Sequence, residues 1–202
     1  MAFMRQALRL GMAQMGRTWP NPTVGCVLVK AGAVIAEGAT GDGGRPHAEE
    51  TALDIAGDMA RGAMAYVTLE PCGERSNGGC SCGQRLAEAG VARVIYACED
   101  PSPFASHKGP ERLKAAGIPV ESGLLADEAA PLIEGFVHWL RTGRPRVIES
   151  DSAHVDALFD ADPDADLAAE LHAWGERGYR TLGVPFESDL AHALRRQGLL
   201  SE

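Results

Sequence analysis

Four residues of this chain have the types and the spacing of a catalytic metal site. Residues 46–50 read P-H-A-E-E and residues 69–72 read L-E-P-C, while nine residues separate Cys72 from Cys82. Zinc prefers imidazole and thiolate ligands, and a catalytic zinc keeps one of its four tetrahedral positions for water. The sequence therefore predicts a zinc (Zn2+) site with three protein ligands: His47, Cys72 and Cys82.

Glu49 is predicted to move the protons at this site. It stands two residues after His47, which is too close for an obvious fourth ligand, but it can face the open position. There it would protonate a ring nitrogen while water attacks the neighbouring carbon, and then pass a proton to the departing amine. The pairs H-x-E and P-C are typical of zinc deaminases that attack an amidine-like carbon of a nucleobase ring.

Other roles for the same residues remain open. His47 could cap a helix or lie in the core, and Cys72 and Cys82 could be small buried apolar residues. A further alternative is that Cys80 joins them to close a structural Cys3His site, which has no open position and no catalytic function.

Alternating helices and strands are predicted to position these residues. His47 stands at the start of a predicted helix, and Cys72 lies between a predicted strand and the helix that begins at Cys82. Apolar periodicity and turn residues predict helices over Phe3–Met15, His47–Ala60, Cys82–Ala89, Pro110–Ala116 and Asp127–Arg141, and strands over Val24–Val29, Val34–Glu37, Ala65–Leu69, Ala92–Ala97 and Pro119–Ser122. This alternation predicts an α/β fold with three layers, α/β/α, around a central sheet.

Composition changes after Arg146. No Lys or Arg occurs from residue 147 to residue 176, while six Asp residues accumulate between residues 151 and 166. We expect an acidic, solvated linker there, followed by a small αβα appendage made of helix Leu167–Glu176, strand Thr181–Val184 and helix Leu190–Leu199. The sequence thus divides into a zinc deaminase domain, residues 1–146, and a smaller unit, residues 147–202.

The composition restricts the classes of function. Hydrophobic residues make up 45% and charged residues 23% of the 202 positions, and the net charge of -9 argues against a nucleic-acid binder. No apolar stretch is long enough to span a membrane. Five cysteines, without a signal peptide, fit a disulfide framework poorly. We therefore expect a cytoplasmic protein with reduced thiols, in which Cys26 and Cys98 lie in the core.

Longer motifs around the site resemble a known family. Four segments, together with the long gap between the two cysteines, resemble the deaminase half of the bifunctional riboflavin-biosynthesis deaminase/reductase: residues 17–25 (R-T-W-P-N-P-T-V-G), 64–72 (M-A-Y-V-T-L-E-P-C), 90–94 (G-V-A-R-V) and 100–103 (D-P-S-P). The resemblance runs from about Met4 to Arg146. It implies a cytidine-deaminase-like fold with a central mixed sheet, bound Zn2+, and hydrolytic release of ammonia from a phosphorylated pyrimidine, the diaminopyrimidinone ribosylamino 5′-phosphate.

The resemblance also implies which residues bind the substrate. Asn21 falls on the family's base-contacting Asn, and Asp100 falls on the Asp of its substrate-side loop. Positions around them complete the candidate substrate-binding set: Asn21, Thr40, Glu74, Arg75, Asp100 and Ser102.

The chain departs from the family on this substrate side. Many members have His where this chain has Thr40 and Glu74, and a second Asn where it has Ser102. The usual basic residue of the long loop falls at Asn77 or a neighbour, with Arg75 as a stand-in. An acid beside a phosphorylated substrate should weaken its binding unless nearby bases compensate: Arg45, Arg75, His107 or Lys108. Two alternatives therefore stay open, namely a deaminase of another aminopyrimidine or aminopurine, and a zinc-bound but inactive binding or regulatory subunit.

Residues 171–201 faintly resemble the C-terminal piece of the family's reductase half. The phosphate-cradling V-E-G-G turn of that half is V-P-F-E here, at residues 184–187. Without the glycine pair, backbone amides cannot approach a dinucleotide phosphate closely. We expect a shrunken remnant that packs on the deaminase or mediates assembly and has no reductase activity. The expected partners are the small-molecule substrate, further copies of the chain in a dimer or tetramer and, as an option, a separate reductase, with no nucleic acid and no membrane.

Overall fold

The computed structural model describes residues 1–75, 78–103, 107–150 and 154–201, so Asn77 and Asp151 lie outside the described residues. One sheet contains β1 (Gly25–Lys30), β2 (Ala33–Ala39), β3 (Met64–Leu69), β4 (Arg93–Cys98) and β5 (Val120–Glu121), and a second contains β6 (Arg146–Glu149), β7 (Ala157–Leu158) and β8 (Thr181–Val184). The α-helices are α1 (Ala2–Met12), α2 (Ala48–Ala56), α3 (Cys82–Ala89), α4 (Lys108–Ala115), α5 (Ala126–Ala129), α6 (Glu134–Thr142), α7 (Leu167–Glu176) and α8 (Asp189–Arg196). No helix within these ranges is long and apolar enough to cross a membrane.

The larger sheet is mixed, as the family resemblance implies. Its strand order is β2-β1-β3-β4-β5, with β1 antiparallel to both of its neighbours and β3, β4 and β5 parallel. Leu69 pairs with Cys98 at the ends of β3 and β4. Because parallel strands end at the same edge of a sheet, the loops that carry Cys72 and Asp100 leave the sheet on one side.

Helices cover both faces of this sheet. Gly25 of β1 lies so close to α1 that an added Cβ atom would stand 1.9 Å from the carbonyl oxygen of Ala7. Gly38 of β2 is similarly close to α2, where a Cβ atom would stand 2.2 Å from the carbonyl oxygen of Ala48. Gly38 pairs with Cys26, the neighbour of Gly25, and successive strand residues face opposite sides. Helices α1 and α2 therefore lie on opposite faces, which confirms the three-layer fold.

One predicted helix is broken in the structure. The predicted bounds hold for α3, α7 and β8, but the single helix predicted over Asp127–Arg141 is wrong. Helix α5 ends at Ala129, a 3-10 turn follows over Ala130–Leu132, and α6 begins at Glu134. Pro131 explains the break, because proline has no N–H to donate and its ring clashes with the carbonyl of the preceding turn.

The stretch after Arg146 is only in part the solvated linker that its charge predicts. Its later aspartates are exposed and lie outside helices and strands: Asp160, Asp162, Asp164 and Asp166. Strand β6, however, begins at Arg146 itself, and Phe159, directly after β7, is 2% exposed in a second apolar core. The carboxylate of Asp156 accepts hydrogen bonds from the N–H groups of Arg180 (2.6 Å) and Thr181 (2.9 Å). Instead of a one-stranded appendage, the chain forms a parallel sheet of order β6-β8-β7 with helices α7 and α8.

Aromatic and arginine side chains connect the residues around the larger sheet with those around the smaller sheet. The rings of Trp19 and Tyr179 stack with their centroids 4.4 Å apart. The Arg180 guanidinium lies 3.7 Å from the ring centroid of Trp139, and its Nε donates a hydrogen bond to the carbonyl oxygen of Pro20 (3.0 Å). The segment that precedes β1 is thereby attached to the residues that precede β8.

Candidate active site

The structure brings the imidazole and the two thiols of the predicted metal site together. The Nδ1 atom of His47 lies 3.3 Å from the sulfur of Cys82 and 3.8 Å from the sulfur of Cys72. The three side chains form a group whose donor atoms all lie within 4.8 Å of one another. They come from different elements: the residue before α2, the loop after β3, and the first residue of α3.

Hydrogen bonds at the two helix N-termini hold this group in place. The Cys82 N–H donates to the sulfur of Cys72 (3.3 Å), while the Ser81 hydroxyl accepts a bond from the Gln84 N–H (3.3 Å) and so caps α3. The thiol of Cys82 also hydrogen-bonds to Cys72, which lowers the pKa of Cys72 and raises that of Cys82. This hydrogen bond therefore favours the thiolate form at Cys72 and the thiol form at Cys82.

Cys80 takes no part in the group. Its sulfur donates to the carbonyl oxygen of Ser81 at 3.8 Å, and within the described ranges the donor group contains one imidazole and two sulfurs. The closed Cys3His alternative thus finds no fourth ligand in Cys80. Cys26 and Cys98 are buried in β1 and β4, as expected.

Glu49 lies beside the metal-ligand candidates, on the second residue of α2. It is 4% exposed and lines the same cleft as His47 and Cys72. Burial, and after it the neighbouring Cys72 charge, raises the pKa of the Glu49 carboxyl to about 7, while His47 opposes the shift. The side chain can therefore hold or release a proton near neutral pH.

A buried ion pair lies behind the cluster. The Nη2 atom of Arg75 lies 2.7 Å from a carboxylate oxygen of Glu50 and donates to the sulfur of Cys82 at 3.5 Å. Glu50 also accepts a bond from the His47 N–H (2.8 Å). Burial alone would raise the pKa of Glu50, but the Arg75 and His47 hydrogen bonds lower it to about 2. Arg75 is therefore tied to the metal-ligand group through its charged end.

A cleft of about 280 Å³ opens in front of these residues, close to the lower limit for a small-ligand site. Its lining contains Glu49, His47 and Cys72, together with all six candidate substrate-binding residues: Asn21, Thr40, Glu74, Arg75, Asp100 and Ser102. The cleft thus collects residues that are up to 81 positions apart in the candidate set, from Asn21 to Ser102.

Several of these six side chains already have partners. The Asn21 amide donates to the Gly44 carbonyl oxygen (2.8 Å), and the Thr40 hydroxyl accepts a bond from the Val24 N–H (3.0 Å). Glu74 pairs with Lys108 at 2.8 Å. The Asp100 carboxylate accepts a bond from the Ser102 N–H (2.8 Å), and burial raises its pKa.

Sequence reasoning missed part of the cleft. Glu70 stands within the L-E-P-C motif and was given no role, yet its buried carboxylate accepts bonds from the N–H groups of His107 (2.9 Å) and Asp100 (3.4 Å), which joins two loops of the site. The far wall comes from α6 and from the residue before β8: Phe136, Trp139, Leu140 and Arg180. No sequence signal pointed to Arg180, because no motif connects it to the metal-ligand candidates.

Comparison with known proteins identifies the family. Residues 1–98 match the family model described as the cytidine and deoxycytidylate deaminase zinc-binding region. The chain is 48% identical over 147 residues to the riboflavin biosynthesis protein RibD of Escherichia coli K12, covering 72% of this chain and 39% of that protein. The chain belongs to the RibD family. Haemophilus influenzae RibD is 46% identical over 145 residues, with 72% and 39% covered, so this RibD-family chain spans about two fifths of the length of these curated relatives.

Solved RibD structures share the fold. The RibD of Acinetobacter baumannii superposes with a TM-score of 0.80 at 26% identity, covering 98% of this chain and 83% of that chain. A deaminase/reductase of Thermotoga maritima gives a TM-score of 0.84 at 22% identity, with 97% and 83% covered, which shows the fold. The RibD-type fold therefore includes the region after Arg146, where the sequence match with the curated relatives ends.

The donor set of this RibD-family site fits zinc, the metal of the matching family. One imidazole and two sulfurs are ligands of the kind that zinc prefers, and three ligands leave the fourth tetrahedral position open. The hydrogen bonds from Cys82 lower the pKa of Cys72 and so favour the thiolate, which is the form that a metal binds.

Proposed function

We propose that this chain is a zinc-dependent hydrolytic deaminase of riboflavin biosynthesis, which converts the diaminopyrimidinone ribosylamino 5′-phosphate to the pyrimidinedione and releases ammonia. The observation that carries the proposal is the buried Glu49 beside the His47, Cys72 and Cys82 group in one cleft. Those three side chains would hold the zinc, which when bound lowers the pKa of water and so supplies the nucleophile. The identity to RibD proteins supports this choice of substrate.

Glu49 would carry the protons of the reaction. Its place on the first turn of α2, two residues after His47, keeps the carboxyl at the inner end of the cleft. There it would deliver a proton to the ring nitrogen next to the attacked carbon and a second one to the departing amine. The carboxyl is shielded from bulk water, so the protons would pass within the site.

The candidate substrate residues would orient the ring. Asn21 is fixed by its bond to the Gly44 carbonyl. Asp100 and Ser102 are joined by a hydrogen bond in the loop after β4. The Thr40 hydroxyl accepts a hydrogen bond from the Val24 N–H and so holds the backbone just before β1. We propose that Asn21, Asp100 and Ser102 contact the base directly, and that Thr40 and Arg75 position other residues of the site.

Ammonia release tests the proposal. Zinc-loaded wild-type protein should release ammonia from the diaminopyrimidine ribotide, and Glu49→Gln should lower kcat by about 10²- to 10⁴-fold with its zinc content unchanged. The matched control is Glu128→Gln, which removes the charge of an exposed glutamate that pairs with Arg5 on the other helix layer, and it should keep full activity.

Other outcomes would redirect the assignment. No release by the zinc-loaded wild type would overturn the ribotide as substrate, and ammonia from another aminopyrimidine or aminopurine would then identify the second candidate that Thr40, Glu74 and Ser102 suggest. No release from any ring amine would favour a zinc-bound regulatory subunit. Equal rates for the wild type and Glu49→Gln would exclude Glu49 as the proton carrier.

We also propose a division at Arg146. Residues 1–146 would form the deaminase domain and residues 147–202 a shrunken reductase-like unit, supported by their separate apolar cores. Strand β8 of the smaller unit ends at Val184 and runs into Pro185, a turn that lacks the glycines a dinucleotide phosphate requires. We further propose that the protein is cytoplasmic, that it forms a homo-oligomer, and that a separate reductase docks on it.

A further inference from the structure

Two arginines line the cleft without a salt bridge to any described carboxylate. Arg45 precedes Pro46 and His47 in the glycine-rich loop, and its Nη1 atom is buried without a hydrogen-bond partner among the described residues. Arg180 precedes β8, and it is 9% exposed with its guanidinium stacked on the Trp139 ring. Neither arginine forms an ion pair with any residue that the structure describes.

Both arginines are attached to the same short segment. The Nε of Arg180 donates to the Pro20 carbonyl oxygen (3.0 Å), and the Asn21 amide donates to the carbonyl oxygen of Gly44, the neighbour of Arg45 (2.8 Å). Arg180 and the loop that carries Arg45 are therefore both attached to the Pro20–Asn21 segment, and all four residues line the cleft. Asn21 is also the residue expected to contact the base, so the two arginines lie next to the position of a bound substrate.

The donors of Arg180 are only partly used. Its Nη1 donates to the carbonyl oxygens of Gly175 (3.2 Å) and Tyr179 (3.0 Å), while its Nη2 donates to no described residue. Stacking on Trp139 fixes the plane of the guanidinium, and a fixed fork of N–H donors suits a phosphate. Burial lowers the pKa of Arg180, and the nearby Asp156 charge opposes this shift only in part. A bound anion would offset more of the cost of burying the guanidinium.

The other basic side chains near the cleft already lie beside acidic side chains. Arg75 pairs with Glu50, Lys108 pairs with Glu74 at 2.8 Å, and His107 lies 3.4 Å from Glu70. Three of the four residues that could offset an acid beside a phosphate are thus occupied. Arg45 is the fourth.

We propose that Arg45 and Arg180 bind the 5′-phosphate of the substrate, an assignment that rests on the proposed deaminase function. The phosphate would lie where these two guanidinium groups line the cleft. Arg180 belongs to residues 147–202, so this unit takes a direct part in substrate recognition by the deaminase. The structure thereby gives the C-terminal unit a role other than reduction or assembly.

Kinetics with and without the phosphate test the assignment. Zinc-loaded wild-type protein should show a higher kcat/KM for the ribotide than for the corresponding riboside. Arg45→Gln should lower kcat/KM for the ribotide by about 10- to 100-fold, mainly through KM, and leave the riboside value unchanged. Arg17→Gln, which removes an exposed arginine paired with Asp42 outside the cleft, is the matched control and should change neither value.

Arg180 is tested with a more conservative substitution, because its guanidinium also donates hydrogen bonds to three backbone carbonyl oxygens. Arg180→Lys keeps the charge but loses the fork, and it should lower the ribotide preference by a smaller factor than Arg45→Gln. An equal loss for ribotide and riboside in Arg45→Gln would overturn the assignment, since it would mean that Arg45 acts on the chemistry or the fold and not on the phosphate.

Binding of ribose 5-phosphate separates this proposal from the proposed reaction. In calorimetric titration, the zinc-loaded wild type should bind ribose 5-phosphate more tightly than ribose, and Arg45→Gln should remove the difference. That result supports the anion site even if the ribotide is not deaminated. Equal binding of the two sugars by the wild type overturns it, even if deamination proceeds.

Discussion

The two ends of the cleft differ in how their charges are arranged. At the metal end, Glu50 pairs with Arg75 and Glu74 pairs with Lys108, so the charged side chains hold one another in place. The other part of the lining, Arg45 and Arg180, which we call the opposite end, forms no salt bridge with any described residue. Paired charges fix the positions of the metal ligands, whereas unpaired charges are available to an anionic ligand.

This difference also separates two kinds of sequence information. The metal end is built from short motifs on neighbouring elements, and the residues in each motif have one chemical purpose. The opposite end is built from single arginines that are 135 positions apart, and their shared purpose is visible only after folding. The predictions below test whether the two ends can be disturbed separately.

The largest expected effect comes from the core beneath Arg180. Phe159→Ala should lower the free energy of unfolding by about 3–5 kcal/mol, because it leaves a cavity in a buried apolar core. Phe159 contacts Trp174, which in turn contacts Tyr179, the neighbour of Arg180. We therefore expect urea denaturation to show reduced stability and kinetics to show a weaker preference for the ribotide, with the zinc content unchanged.

Phe186→Ala is the matched control for this change. Phe186 follows β8 in the same unit but is 63% exposed, so its removal should change the stability by no more than about 0.5 kcal/mol. Loss of zinc from Phe159→Ala would contradict the separation of the two ends.

A smaller effect is expected from the buried ion pair at the metal end. Arg75→Gln should lower the free energy of unfolding by about 1–3 kcal/mol, because Glu50 loses a charged partner. The loss is limited because Arg85 still lies 3.1 Å from the Glu50 carboxylate. Zinc affinity, measured by competition with a chelator, should fall because the Arg75 bond to the Cys82 sulfur is lost. The ratio of ribotide to riboside kcat/KM should stay the same, and a selective loss for the ribotide would show that Arg75 also reaches the phosphate.

The smallest effect is expected at Glu74. This acid was expected to weaken binding of a phosphorylated substrate, but Lys108 already neutralises it at the edge of the cleft. Glu74→Gln should therefore change KM for the ribotide by no more than about threefold, as is usual for an exposed pair. A tenfold or greater fall in KM would mean that Glu74 repels the phosphate despite Lys108.

The fold and the metal end could be predicted because their signals are local. The bounds of α3 follow from Ser81 as its cap and Gly90 after its last turn, and H-x-E and P-C are complete within a few residues. The break at Pro131 could have been read from the proline. The second core could not be predicted from charge, because Val155, Leu158 and Phe159 form only a short apolar group among aspartates. Arg180 reaches the cleft through contacts that no local pattern encodes.

Because Arg180 is attached to Pro20, residues that line one cleft are synthesised at different times. All three metal donors have been synthesised once Cys82 leaves the ribosome, whereas the arginine of the far wall emerges about a hundred residues later. At the usual 5–20 residues per second, several seconds separate the two events. A nascent chain thus carries the three candidate metal ligands well before it carries the arginine that we propose for the phosphate.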